Sequence, residues 1–289
     1  MGESVVVCIH LDNERCLTFV LIERDQPVKE VLRYIFDRKR AYNRLPLFEW
    51  MRDEQLTPRQ RLAFYPCMAH FIMSFGDLNK FVLREQRPGD TFQDMVNAHT
   101  AEDDHHWPWY LEDFTKLGFD EELRGTDWMN FLWGEETQQN RILLARLTSL
   151  IKTTNSLERL VVIEAIEETG NVLFSTMLPL AVAVEKEIGQ ELRYCGPFHF
   201  ELESGHAVGA DHRALVSVKL DENARARCRW MIDEVYSAFE GWTHELLRYA
   251  HAHPLRAEYA QQEGFSSATF RIGAKVDDAN EAEDERKLG

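Results

Sequence analysis

The stretch YCGPFHFELESGH, residues 194–206, governs how the rest of the chain is read. His199, Glu203 and His206 are separated by four and then three residues. A helix turns about 100° per residue, so the three side chains fall within roughly 60° of one another. Glu201 and His212 point away by the same arithmetic. One helix face therefore offers imidazole, carboxylate, imidazole, a mixed N/O set that suits iron or manganese better than calcium. The absence of thiolate argues against a structural zinc site. Such a face is half of a metal site, and the other half must come from other helices.

Two segments upstream supply candidates. Residues 91–117 predict one helix, containing NAHTAEDDHHWPWYLEDF. With Glu102 at zero on the wheel, His106 falls at about +40°, His105 at about −60° and His99 at about +60°. Glu102 and His106 share a face, while Asp103 and Asp104 turn away from it. The aromatic weight of WPWYLEDF places this helix inside the molecule rather than on its surface; the competing reading is an acidic turn with solvated histidines. The second segment is NSLERLVVIEAIEETGNVLFSTMLPLAVAVEKE, where Asn155 and Glu158 have the spacing of a reciprocal N-cap. Glu164 lies near the centre of its apolar face, with Glu167 and Glu168 flanking at about −60° and +40°. A carboxylate there requires a partner, either a metal or an Arg on a neighbouring helix.

Elsewhere the pattern is scaffold. Helices are expected from Pro27, over Pro46–Gln55, from the capping pair Thr57-Pro58 with Pro66 and Gly76 as breaks, over 126–152 as one element, and over Glu222–His253. His70 reads as a core histidine, and His244, His251 and His253 as solvated. Residues 4–23 form two β-rich runs around DNER, which predicts a hairpin. The tail from Val276 is charged and nearly free of apolar residues, the composition of a disordered segment. The expected organisation is an N-terminal hairpin (1–26), a helical domain (27–262) and an acidic tail (276–289).

Composition narrows the partners. A formal charge of −16 disfavours nucleic acid and anionic membranes, which are bound through basic patches. The longest apolar run, Val172 to Val184, is too short to span a bilayer. Five cysteines, an odd number with no CxxC and no secretory leader, read as reduced thiols of a cytoplasmic protein. A homodimer through the hairpin is a further expectation.

Taken together, Glu102 with His106, one of the three glutamates at 164, 167 and 168, and His199 with Glu203 and His206 make three carboxylates and three imidazoles. That is more than one catalytic iron takes from a protein, and it matches a carboxylate-bridged metal pair held between helices. The HxxxExxH of His199, Glu203 and His206, the ExxxH of Glu102 and His106, and the IEETG containing Glu167 resemble the heme-oxygenase-like diiron oxidases over residues 28–255. The resemblance implies an all-α heme-oxygenase-like helical bundle, two iron ions per chain with manganese as the alternative, and dioxygen acting on an amino-acid-like or fatty-acid-like small molecule. It selects Glu167 over Glu164, the residue periodicity favours, and leaves His105 as the alternate to His106. Metal ligands are then Glu102, His106, Glu167, His199, Glu203 and His206, with Glu102, Glu167 and Glu203 as the carboxylates that shift during catalysis. Typical members carry Asp where this chain has Glu203. The competing readings are a metal-free, thiaminase-like small-molecule enzyme or binding protein on the same fold, and a non-enzymatic interaction protein.

Overall fold

A computed structural model describes residues 27–120, 122–206 and 220–255, with the side chains of 27–29 and 203–206 left out. The predicted hairpin and acidic tail lie outside the described residues. Among the described residues there are ten α-helices and no strand. They are α1 (Pro27–Tyr42), α2 (Pro46–Met51), α3 (Ala69–Leu78), α4 (Thr91–Asp103), α5 (Trp107–Lys116), α6 (Gly125–Trp133), α7 (Gln138–Ile151), α8 (Ser156–Ile188), α9 (Pro197–His206) and α10 (Glu222–Ala252).

The 33-residue α8, about 50 Å long, is the axis of the bundle. It starts where expected, because Asn155 accepts from the Glu158 amide at 2.9 Å while Glu158 accepts from the Asn155 amide at 3.0 Å. It stops at Gly189, whose φ of 67° favours glycine. α1, α4, α9 and α10 pack against it, and α7 packs between α3 and α10. The buried Arg159 of α8 donates to the Leu83 carbonyl at 3.1 Å, to Gln93 at 2.9 Å and to Glu85 at 2.8 Å, locking α4 and the turn before it to α8. Glu168 is buried and ion-paired with Lys39 of α1, so this carboxylate has the salt-bridge partner that a buried charge requires.

Three predicted elements divide. The helix expected over 126–152 is interrupted at Gly134, which is extended (φ −69°, ψ 177°) and leads through a short turn into α7. The segment after Thr57 opens with the capping contacts of Thr57 and Gln60 but runs as two 3₁₀ turns before α3. Gly76, expected to break a helix, sits inside α3; there its missing side chain matters for another reason. The helix expected over 91–117 ends at Asp103 and resumes at Trp107. Pro108 explains this: it has no N–H to give the Asp104 carbonyl four residues back, and its ring would collide with that carbonyl. The carbonyl instead packs on α3, where a Cβ on Gly76 would stand 2.6 Å from it. Arg84 secures the same corner, donating to the Thr100 carbonyl at 2.6 Å and to Asp104 at 2.5 Å.

Candidate metal centre

The buried face of α4 comprises Gln93, Val96, Thr100 and Asp103, spaced three, four and three apart. Asp103 therefore points into the bundle and is 3% exposed. Glu102, the expected ligand, is placed on the exposed side. The inward direction of α4 is set by Val96, from which Glu102 lies about 120° away, and the break after Asp103 removes the geometric tie between Glu102 and His106. The expectation that Asp103 turns away is thus corrected.

His99, one turn before Asp103, completes a cluster. Its Nε2 lies 3.0 Å from an Asp103 carboxylate oxygen and 3.2 Å from one of Glu167 on α8. One donor atom from each of the three residues lies within 4.8 Å of the other two. Burial works against a charged His99 ring, but hydrogen bonding to Asp103 and Glu167 outweighs it, and the imidazole pKa is pushed up to about 12. Two converging carboxylates need a cation between them, and their pull favours the protonated form of the His99 ring.

A second pair faces this cluster across one cavity. His199 of α9 and His106, in the corner before α5, approach Nε2 to Nδ1 at 3.1 Å. His199 Nδ1 is 2.8 Å from the Tyr194 carbonyl, which can only accept, so the ring proton is on Nδ1 and the Nε2 lone pair faces His106. The His106 ring stacks on Trp109, centroids 4.4 Å apart. Asp103, Glu167, His106 and His199 all line a cavity of about 50 Å³, whose apolar walls include Ile72, Phe75, Trp107 and Phe174. By that measure a water occupies roughly 10–15 Å³, so the cavity takes a few small molecules or ions.

The start of α9 is set by Asp113 of α5, which is 0% exposed. Its carboxylate accepts from the backbone amides of Arg193 (2.6 Å), Tyr194 (2.7 Å) and Cys195 (3.0 Å), with the Cys195 thiol at 3.4 Å. Burial raises the Asp113 pKa, and the three amides act against that rise. The turn they fix delivers the Tyr194 carbonyl that orients His199.

Three of the six expected ligands, Glu167, His106 and His199, reach this cavity. Glu203 and His206 belong to α9, but their side chains lie outside the described residues. Glu164 is buried on α8 without lining the cavity, and the alternate His105 is largely exposed beside Asp104. Sequence reasoning missed His99 and Asp103, although their i, i+4 spacing on a helix ending before Pro108 was available as a signal. His70 packs its ring edge against Trp133.

The donor set fits a metal. Metal–ligand bonds of about 2.0–2.2 Å put adjacent donors of an octahedron about 2.8–3.1 Å apart; two of the close contacts, 3.0 and 3.1 Å, fall in that range and the third, 3.2 Å, lies just beyond it. The Tyr194 carbonyl holds His199 in the manner usual for a liganding histidine, whose other ring nitrogen donates to a backbone oxygen.

No family model matches the chain, and no curated protein matches its sequence. Solved structures do match in fold. A domain of unknown function with a heme oxygenase-like fold from Shewanella denitrificans superposes with a TM-score of 0.55 at 13% identity, covering 77% of this chain and 92% of that one. A TenA homologue from Pseudomonas syringae pv. tomato gives 0.55 at 13%, covering 78% and 99%. The chain thus has a heme oxygenase-like helical fold. No helix among the described residues is long and apolar enough to cross a membrane.

Proposed function

We propose that this protein is a non-heme diiron oxidase or oxygenase acting on a small molecule, with its metals held in the cavity between α4, α8 and α9. The observation that carries the reading is that Asp103, Glu167, His106 and His199 line one cavity, with His99 against the two carboxylates. Three imidazoles and two carboxylates exceed what a structural polar cluster needs. Glu203 and His206, one and two turns beyond His199, are the candidates to complete the set. Two ferrous ions would supply the electrons and open coordination positions for activating dioxygen.

The chain's own residues do the rest. Asp103 and Glu167 bring the negative charge that draws a divalent pair into an apolar cavity. His99 gives up its proton to become a neutral ligand, which couples metal uptake to proton release. Trp109 and the Tyr194 carbonyl fix the rings of His106 and His199. Ile72, Phe75 and Phe174 limit the water around the carboxylates, which strengthens their pull on a cation.

One observation favours a second reading, a metal-free binding protein or enzyme: His99 Nε2 lies 3.0 Å from Asp103 and 3.2 Å from Glu167, where a protonated ring offsets part of their charge. The test is metal content after anaerobic loading with Fe(II), followed by absorbance on admitting oxygen. Close to two irons per chain with a transient visible band is expected, falling at least tenfold in affinity for Asp103→Asn and Glu167→Gln. Protein that retains its helical content yet takes up no iron would overturn the diiron reading in favour of the metal-free one.

A further inference from the structure

Among the described residues that line the cavity, Trp107 is the most exposed, at 38%. The others are buried or half-buried. Its indole therefore has the cavity on one side and solvent on the other. Chain geometry puts it there: Trp107 is the first residue of α5, directly after His106 and inside the corner that Pro108 imposes. Across from it α3 presents Gly76, where a Cβ would stand 3.7 Å from Trp107 Cδ1. The backbone of α3 thus approaches the indole edge with no side chain between them.

The cavity of about 50 Å³ holds a few water-sized molecules. Dioxygen fits in it, and an organic molecule does not while the wall stays as it is. We infer that Trp107 is the specificity-determining gate of this centre. With the indole inward only the smallest molecules reach His106 and His199. Turning it outward about Cα–Cβ, toward its solvent side, opens a passage through which the reacting end of an organic molecule enters from the surface of α5. A side-chain rotation of this kind requires no backbone movement. The inference rests on the function proposed above for the reaction that takes place inside, but passage itself requires no metal.

The experiment treats the full metal-free chain with diethylpyrocarbonate, which carbethoxylates neutral imidazoles, and follows each histidine by peptide mass spectrometry. In the parent, His106 and His199, at 7% and 2% exposure, should react at least tenfold more slowly than the exposed His244 of α10. Trp107→Ala should raise the rate at the buried pair at least tenfold and leave His244 unchanged. Trp107→Phe, which keeps a ring in the wall, should raise it severalfold, and this variant decides the matter where Trp107→Ala loses helical content. Leu111→Ala is the control for general loosening, because Leu111 lies one turn further along α5, is 39% exposed and does not line the cavity; the pair should react as in the parent. A pair that reacts as fast as His244 in the parent, that ignores both Trp107 variants, or that responds equally to Leu111→Ala overturns the inference. Iron loading, measured separately, distinguishes failure here from failure of the metal centre: two irons per chain with a pair indifferent to Trp107 refutes only the gate, and a pair opened by Trp107→Ala in a chain that takes up no iron refutes only the diiron reading.

Discussion

Replacing Asp113 by alanine tests whether the turn before α9 is held by one buried carboxylate. The substitution strands three backbone N–H groups, those of Arg193, Tyr194 and Cys195, which bond Asp113 at 2.6, 2.7 and 3.0 Å. An unsatisfied buried donor costs about 1–3 kcal/mol, and the turn can relax enough for water to reach some of the three. A loss of about 3–5 kcal/mol is expected, a large share of the 5–15 kcal/mol typical of a folded domain. Asp113→Asn keeps one acceptor but turns an NH₂ toward an amide donor, so about half that loss is expected. Urea unfolding monitored by circular dichroism gives both values. The second readout is functional: if the turn carries the Tyr194 carbonyl out of reach of His199, Co(II) affinity should fall about 10–100-fold, the usual effect of losing a group that orients a ligand. An alanine variant within about 1 kcal/mol of the parent, with unchanged Co(II) binding, would refute the reasoning, because three amides cannot lose a buried partner without consequence.

Gly76→Ala puts a methyl 2.6 Å from the Asp104 carbonyl oxygen, a backbone atom that cannot swing aside. About 1–3 kcal/mol of destabilisation is expected, with weaker metal binding as the corner between Asp103 and His106 is pushed out; an unchanged melting temperature would contradict the contact. His99, with its folded pKa near 12 against 6.5 for the free side chain, should remain doubly protonated in metal-free protein from pH 6 to 9 by ¹⁵N NMR. Because that pKa is raised, the stability it contributes is complete below pH 6.5 and declines as pH rises toward 12. His99→Gln should therefore flatten the alkaline fall in urea midpoint, and a His99 titrating near 6.5 would remove the basis for this. Asn155→Ala removes the cap of α8 and should cost about 1 kcal/mol in the same assay without altering metal uptake.

The starts of α1 and α8 were legible because local chemistry fixed them, Pro27 and the Asn155 and Glu158 pair each acting within a few residues, while α10 was legible from its amphipathic pattern. The interruptions were less legible. Whether Gly134 or Gly76 ends a helix depends on what packs beside it, and in these two cases the outcomes are opposite. The site shows the same division. His199 and, in the IEETG stretch, Glu167 do line the cavity. Around Glu102, however, the wheel runs on to His106, although Pro108 leaves the Asp104 carbonyl without its donor and the helix stops at Asp103. Zeroing it on Val96 and stopping before Pro108 would have brought in Asp103 and, with it, His99. The buried Asp113 had no sequence signature, since its three partners lie some eighty residues away.

The contact at Gly76 leaves a mark that can be read in other genomes without further coordinates. Any lineage that keeps the corner formed by His99, Asp103 and His106 must spare the position roughly twenty residues ahead of it from every side chain. A chain with HxxxDxxH followed shortly by proline, and glycine at that remove, is a candidate relative even where overall identity has decayed beyond alignment. Where the same triplet survives but alanine or serine has replaced the glycine, the carbonyl four residues before the proline must have shifted to make room.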